Sequence, residues 1–93
     1  MPVEVSIPGP LRPFARNQSR VALETRAATV EDALAELWSL YPGLKDRVVT
    51  EDGRIRPHVN VFVDANNVRD LDGMATRLPA ACEIAILPAI SGG

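Results

Sequence analysis

Hydrophobic and polar residues alternate at both ends of the chain, and a helical repeat lies between them. Residues 3–7 alternate with a period of two, which predicts a strand with one face in the core. Residues 20–26 repeat the pattern and predict a second strand, antiparallel to the first. The polar loop between these strands carries two apolar residues, Leu11 and Phe14, which we expect to fold back over one edge of the core.

The middle of the chain predicts one helix. An apolar stripe recurs there at helical spacing and consists of Val30, Ala33, Leu34, Leu37, Trp38 and Tyr41. Thr29 precedes the stripe as a good N-cap, and Pro42-Gly43 predicts its end. Trp38 and Tyr41 are interpreted as core rather than as a platform for a ligand. Residues 44–49 predict a loose helical turn.

The strongest strand signal covers residues 58–64, where three valines occupy one face and Phe62 lies on the other. Ala65-Asn66-Asn67 predicts a hairpin turn, because asparagine tolerates left-handed backbone angles. Residues 68–70 then predict a short return strand.

The last strand begins at Glu83 and is stopped by Pro88, which has no N–H to donate. Its isoleucines, Ile84 and Ile86, are expected to face the helix, whereas Ala85 and Leu87 face the open side. The element order of strand, strand, helix, strand, short strand, strand predicts an α+β fold. We expect a ubiquitin-like β-grasp, with one main helix on one face of a mixed four- to five-stranded sheet. The first and last strands should be parallel at the centre of that sheet.

Two glycines end the sequence. We divide the chain into a β-grasp domain at residues 1–88 and a flexible C-terminal tail at residues 89–93. A terminal Gly-Gly is either a frayed end or a reactive end. Because neither residue has a Cβ, a reactive tail could enter a narrow enzyme channel. Extended, the five residues span at most ~17 Å.

Composition narrows the class of protein. The 93 residues are 46% hydrophobic and 24% charged, which is typical of a single globular domain. The net charge is −2 and the basic residues are scattered, so we expect no nucleic-acid or membrane partner. One cysteine allows no internal disulfide, and no metal-ligand cluster is present in the sequence. Without a signal or transmembrane segment, a cytoplasmic location is expected.

The sequence also resembles the ThiS/MoaD-type ubiquitin-like sulfur carriers, and most of all the CysO-like carriers of cysteine biosynthesis. The resemblance is carried by Val5-Ser-Ile-Pro8, Leu11-Arg-Pro13, Val59-Asn60, Val63, Val68-Arg69, Ala75-Thr76, Ile86-Leu-Pro-Ala89 and Gly92-Gly93. It spans nearly the whole chain, and the tail pattern is its most specific part. Two features depart from the family pattern. Ser91 stands where an alanine is common, and Ala15-Arg16-Asn17 stands where glycines are common.

The resemblance implies a carrier protein rather than an enzyme. An E1-like adenylating enzyme would use ATP to activate the carboxylate of Gly93, which sulfur then converts to a thiocarboxylate. No cofactor would be bound by the chain itself. The remaining tail residues would occupy the partner's channel; they are Ala89, Ile90, Ser91 and Gly92.

The sulfur acceptor is left open by the sequence. A cysteine synthase-like enzyme, with a metallopeptidase that later releases the product, is favoured over the large subunit of molybdopterin synthase. In the latter case the chain would be the small subunit of that synthase. A thiazole precursor, which would give thiamine, is a further possible acceptor. A ubiquitin-like modifier conjugated through Gly93 would use the same tail chemistry, and a β-grasp binding module with an inert tail is a further alternative.

Partner docking is expected on the open face of the sheet, at Phe62, Ala85 and Leu87, because an exposed apolar cluster ringed by polar groups is typical of an interface. Alternatively, Leu11, Phe14 or other loop residues cover Phe62. The remaining candidates predict little chemistry. Cys82 is interpreted as a structural thiol and His58 as a surface residue. Arg12 and Arg69 either meet acidic partners or play solvated or structural roles.

Overall fold

A computed structural model describes residues 2–24 and 26–88, so Thr25 and the tail at residues 89–93 lie outside it. Within these ranges the strands are β1 (Pro2–Ser6), β2 (Arg20–Glu24), β3 (Val59–Val63), β4 (Asn66–Asn67) and β5 (Glu83–Pro88). The α-helices are α1 (Val30–Leu40) and α2 (Pro42–Val48), and short 3₁₀ helices cover Gly9–Ala15, Val68–Asp70 and Gly73–Ala75. None of the helices in these ranges has the length and apolar character needed to cross a membrane.

The five strands form one mixed sheet in the order β2-β1-β5-β3-β4. Strands β1 and β5 are parallel, with Val5 opposite Ile84, while the other neighbouring pairs are antiparallel. A parallel pair needs a long crossover, and the chain from β2 to β4 provides it. The predicted ubiquitin-like β-grasp, an α+β fold, is therefore confirmed, including the parallel first and last strands at its centre.

Helix α1 is placed by its cap and by its apolar stripe. The hydroxyl of Thr29 accepts a hydrogen bond from the backbone N–H of Asp32 at 3.3 Å, as expected of an N-cap. Four stripe residues are fully buried, and Trp38 and Tyr41 are half-buried against the same core. The inward residues of the sheet complete that core and include Val3, Val5, Ile7, Val21, Leu23, Val59, Val61, Val63, Ile84 and Ile86.

A second α-helix replaces the loose turn predicted for residues 44–49. Pro42 ends the first helix as expected, but it also occupies the first turn of α2. Proline suits that position because the first N–H groups of a helix have no intrahelical acceptor. Leu44 and Val48 are fully buried, and this burial stabilises the short helix.

The loop between β1 and β2 is also more regular than predicted, since its first half is a 3₁₀ helix. Leu11 packs against the core as expected. Phe14, in contrast, is 36% exposed, and the prediction that it covers the core is wrong. Its ring lies beneath the guanidinium of Arg47, 3.9 Å from the ring centroid, and beside Gly43. A cation–π contact with α2 therefore replaces the expected core contact.

The hairpin after β3 turns earlier than predicted. Asp64 and Ala65 form the turn, while Asn66 and Asn67 already pair with β3 and residues 68–70 are 3₁₀ helical. Asp64 adopts a φ of 52°, a left-handed angle that short polar side chains tolerate. Its carboxylate accepts the backbone N–H of Glu83 at 3.0 Å, which adds a reason for the turn to form there.

Candidate functional site

Strand β5 determines where the C-terminal tail begins. It is paired on both sides, with β1 and with β3, and its last residue, Pro88, lies opposite Val59. Ile84 and Ile86 are 0% and 1% exposed, so the side of the strand that faces α1 is packed into the hydrophobic core. The tail therefore starts from the middle strand of the five-stranded sheet.

The three residues predicted to form a docking face lie together on the side of the sheet away from α1. Phe62 is directly opposite Ala85 in the β3–β5 ladder, and Leu87 lies opposite Asn60 on the same face. Leu87 is 43% exposed, while Phe62 and Ala85 are half-buried. We call this cluster of Phe62, Ala85 and Leu87 the open-face patch; its role in docking stays a prediction.

Phe14 does not explain the partial burial of Phe62. It packs with Gly43 and Arg47, on helix α2. Leu11 contacts the core. The neighbours across the sheet are instead Ala85 and Asn67, which flank Phe62 on β5 and β4. Strand pairing thus places Phe62 between two neighbouring residues of the sheet.

Charged residues border the open-face patch on its β1 and β2 side. The guanidinium of Arg20 lies 3.2 Å from the carboxylate of Glu4 and 3.6 Å from that of Glu83. The three side chains carry two negative charges and one positive charge. A partner that contacts the patch from this side therefore meets a partly neutralised acidic border.

The side chains of Arg12 and Arg69 donate hydrogen bonds to backbone carbonyls. The Nε of Arg12 donates to the carbonyl of Ile7 at 3.0 Å. Arg69 donates to the carbonyls of Arg56 and Val59 at 2.6 and 2.7 Å. It therefore ties the segment after β4 to the start of β3. Both arginines thus have backbone contacts of their own, and a contact of either with an acidic partner stays a prediction.

The structure contains a cleft beside Pro88, where the tail begins, that the sequence did not indicate. It has a volume of about 310 Å³ and is lined by Pro10, Leu11, Asp46, Arg47, Arg56, His58, Val59, Ile86 and Pro88. We call it the tail-root cleft. Its residues come from four separate segments, so no local sequence pattern could have indicated it.

Cys82 is a buried thiol rather than a nucleophile. It is 4% exposed, and burial raises its pKa, with the negative charge of Asp64 acting in the same direction. The thiol is therefore protonated at neutral pH, and the interpretation as a structural residue is supported. His58 is exposed, as predicted.

The predicted reactive residues, Gly93 and the channel-entering Ala89, Ile90, Ser91 and Gly92, lie outside the described residues. The comparison with known families does include them, because the model of the ThiS family matches residues 5–93. The chain belongs to the ThiS family.

Two relatives of this ThiS-family chain differ in the role that their names give them. The sulfur carrier protein CysO of Mycobacterium tuberculosis is 33% identical over 95 residues, and the match covers 100% of both chains. Small archaeal modifier protein 3 of Haloferax volcanii is 44% identical over 66 residues, which is 71% of each chain. Proteins named as sulfur carriers and proteins named as small modifiers are thus both among the relatives of this chain.

The ThiS-family fold is also shared with a solved complex. A chain of the crystal structure of the Amycolatopsis orientalis BexX/CysO complex superposes with a TM-score of 0.85 at 32% identity. The match covers 98% of this chain and 99% of that chain. The resemblance to sulfur carriers that the sequence indicates is confirmed by the family match and by these relatives.

Proposed function

We propose that the chain is a sulfur carrier whose Gly93 cycles between a carboxylate and a thiocarboxylate. The observation that carries the proposal is the placement of β5, the central strand, which ends five residues before the C-terminal glycine. The match to the ThiS family, which extends through residue 93, supports it further. The chain would be a co-substrate of other enzymes.

The chemistry explains why the carrier needs an activating partner. A carboxylate is a poor acyl donor, because its leaving group would be oxide. In the proposed reaction an E1-like enzyme binds ATP, and a carboxylate oxygen of Gly93 attacks the α-phosphate. Pyrophosphate leaves and an acyl-adenylate forms. Sulfide then attacks the carbonyl carbon, AMP leaves, and a thiocarboxylate remains. If the donor is a persulfide, the same attack gives an acyl disulfide, and a thiol must reduce its S–S bond to release the thiocarboxylate while the thiol itself ends in a disulfide.

The body of the protein would contribute position rather than catalysis. The open-face patch would dock on the enzyme while residues 89–93, which reach at most ~17 Å, carry Gly93 into its active site. The crystallised complex of BexX with CysO supports a carrier that works by docking. Because Leu87 immediately precedes Pro88, the docking contact and the start of the tail lie side by side.

Cysteine biosynthesis is the pathway we propose for the sulfur. The similarity to CysO covers both chains completely, which supports a cysteine synthase-like acceptor and a metallopeptidase that releases the product. A molybdopterin synthase large subunit is the alternative acceptor. The similarity to a small archaeal modifier protein favours a second candidate function, conjugation of Gly93 to lysine.

Mass spectrometry of the intact chain tests the carrier function. After incubation with ATP, the cognate E1-like enzyme and a sulfur source, the mass should increase by the exchange of one oxygen for sulfur. Deletion of Gly93 should abolish the increase and leave the circular dichroism spectrum unchanged. An unchanged mass, with an enzyme that demonstrably turns over another carrier, would refute the proposal. Slower-migrating lysine conjugates in a cell extract would instead support the modifier function.

A further inference from the structure

We propose that strand β2, at the edge of the sheet, pairs with β2 of a second copy of this chain. The two strands would run antiparallel, with Ala22 opposite Ala22 of the second copy at a two-fold axis. Arg20 of each copy would then lie opposite Glu24 of the other. This pairing goes beyond the proposed function and does not rest on it, because it concerns the isolated chain.

The position of β2 in the sheet is the first argument. It is the outer strand at one end of the order β2-β1-β5-β3-β4, and its five residues pair with β1. At the other end of the sheet, the outer strand β4 has two residues. An edge strand presents a row of unpaired N–H and C=O groups that another strand can use. β2 is therefore the longer of the two edges at which this sheet could be extended.

The β1–β2 ladder shows which backbone groups of β2 point outwards. The N–H of Glu4 donates to the carbonyl of Cys82 at 3.3 Å, towards the β5 side. Because hydrogen-bonded and non-hydrogen-bonded pairs alternate along an antiparallel ladder, Glu4 and the opposite Ala22 exchange no hydrogen bonds. The N–H and C=O of Ala22 therefore face away from β1, as do those of Arg20 and Glu24. A strand added at this edge would find these groups already aligned.

The order of charges along β2 determines the occupant. The exposed residues of the strand are a cation, a small apolar residue and an anion, in the order Arg20, Ala22 and Glu24. In an antiparallel pair centred on Ala22, each arginine meets a glutamate on the same face, and opposite charges directly across a ladder are stabilising. The two alanines leave room at the axis. A charge pattern that complements itself when reversed fits a second copy of the same chain.

Both charged groups are available for this pairing. Glu24 forms no ion pair with any described residue, since the recorded pairs join Arg20 to Glu4 and Glu83. Both of those contacts use Nη1 of Arg20, whose side chain is 62% exposed. The remaining N–H groups of the guanidinium can donate to a carboxylate of the second copy. Because exposed ion pairs are weak and each copy contributes one short strand, the pair should dissociate on dilution.

A groove on the helix side of β2 adds an apolar contribution. It has a volume of about 250 Å³, lies between β2 and α1, and is lined in part by Leu23 and Leu40. Leu40 is 58% exposed, the largest exposure recorded for a large hydrophobic residue in the described ranges. A two-fold axis perpendicular to the sheet keeps the helices of both copies on one face. The two grooves would therefore border the same seam, where pairing covers part of Leu40.

Analytical ultracentrifugation tests the pairing. The wild type should change from monomer to dimer as its concentration rises from about 1 µM to about 1 mM. Arg20→Glu and Glu24→Arg should each remain monomeric, because like charges then face each other. An equimolar mixture of these two variants should recover the dimer, since one copy carries two acidic residues and the other two basic ones. Circular dichroism would verify that each variant is folded.

Arg54→Glu is the matched control. It makes the same change in charge as Arg20→Glu, and Arg54 is exposed and lines a different groove together with Arg69. This variant should form the dimer as the wild type does. If it is also monomeric, the net charge of the chain controls association, and the proposed β2 pairing is wrong.

Amide hydrogen exchange of the wild type keeps the test valid if a variant does not fold. The N–H of Ala22 should exchange more slowly as the protein concentration rises, whereas that of Asn66, on the other outer strand, should not change. A monomeric wild type, a dimer without protection of Ala22, or a mixture of folded variants that stays monomeric would overturn the proposal. None of these results affects the charging experiment, because the open-face patch lies on β3 and β5 and stays free in the pair.

Discussion

The two faces of strand β5 differ in what they contribute, although their residues alternate within a single segment. Ile84 and Ile86, on the helix side, are almost completely buried. Ala85 and Leu87, on the open side, are half-buried and 43% exposed. One face therefore stabilises the strand, and the other remains available to a partner.

This division explains how a short strand can both hold a fold and leave one face exposed. The buried face anchors β5 in the core and so fixes the position of Pro88, from which the tail extends. Residues on the open face can then suit a partner at little cost in stability. The comparison predicts that changes on the two faces have separable effects, on folding for one and on docking for the other.

The largest effect is expected on the buried face. Ile86→Ala removes buried methyl and methylene groups beneath the sheet and should lower the free energy of unfolding by about 2–5 kcal/mol. Leu87→Ala, one residue away, should change it by less than about 0.5 kcal/mol. Urea denaturation followed by circular dichroism measures both values. Equal losses for the two variants would mean that the two faces of β5 are not divided in this way.

A charge on the open face should impair docking instead. Leu87→Glu places a carboxylate in the open-face patch, and its desolvation should raise the KM for charging by the E1-like enzyme on the order of tenfold or more. The free energy of unfolding should stay close to that of the wild type.

Ala22→Glu is the matched control for this charge. Ala22 lies on the same face, opposite Glu4, two strands from β5, and is exposed. Its substitution adds the same charge outside the patch and should leave the KM nearly unchanged. If both variants raise the KM equally, the effect comes from the net charge of the domain, and the patch is not the docking site.

The strands were predictable because their alternation reflects burial on one side. Val59, Val61 and Val63 are all buried, as their spacing indicates. Helix α2 and the turn at Asp64 were not predictable in the same way. Pro42-Gly43 is compatible with the end of one helix or the start of another, and the burial of Leu44 decides between them. The turn depends on a hydrogen bond from Glu83, 19 residues away in sequence.

The candidate site shows the same limit. Phe62 and Ala85 could be placed side by side from the sequence, because one strand pairing determines the register of both. The tail-root cleft could not, since Arg47 and Arg56 line it from α2 and from the segment before β3, which meet only in the folded chain. Features that depend on a single pairing can be read from a pattern, whereas a cleft built from four segments requires the folded chain.

Cys82 is buried immediately before β5, so the rate at which its thiol is alkylated reports how often this end of the strand opens to solvent. Because burial raises the pKa of this thiol, iodoacetamide should alkylate it many-fold more slowly in the native chain than in urea. Because the folded chain favours the neutral thiol, Cys82 contributes to the free energy of unfolding. This contribution is fully present below the ordinary pKa of 9.0 and is lost as the pH rises from 9.0 through the raised pKa of the folded state. Unfolding titrations should show this loss in the wild type and a smaller one in Cys82→Ala. Rapid alkylation of the native chain would indicate that β5 opens at this end.

The smallest effect is expected for the ion pairs beside the open-face patch. Arg20→Met removes both contacts, to Glu4 and to Glu83, but the arginine side chain is 62% exposed and the carboxylates are 48% and 43% exposed. Solvent screening should limit the loss in the free energy of unfolding to about 0.5 kcal/mol or less. The variant leaves two carboxylates unpaired, so the face becomes more acidic while the fold is retained. If a partner contacts these charged residues, the rate of charging of Arg20→Met should depend on salt concentration more steeply than that of the wild type. An identical salt dependence would mean that docking uses the apolar residues alone.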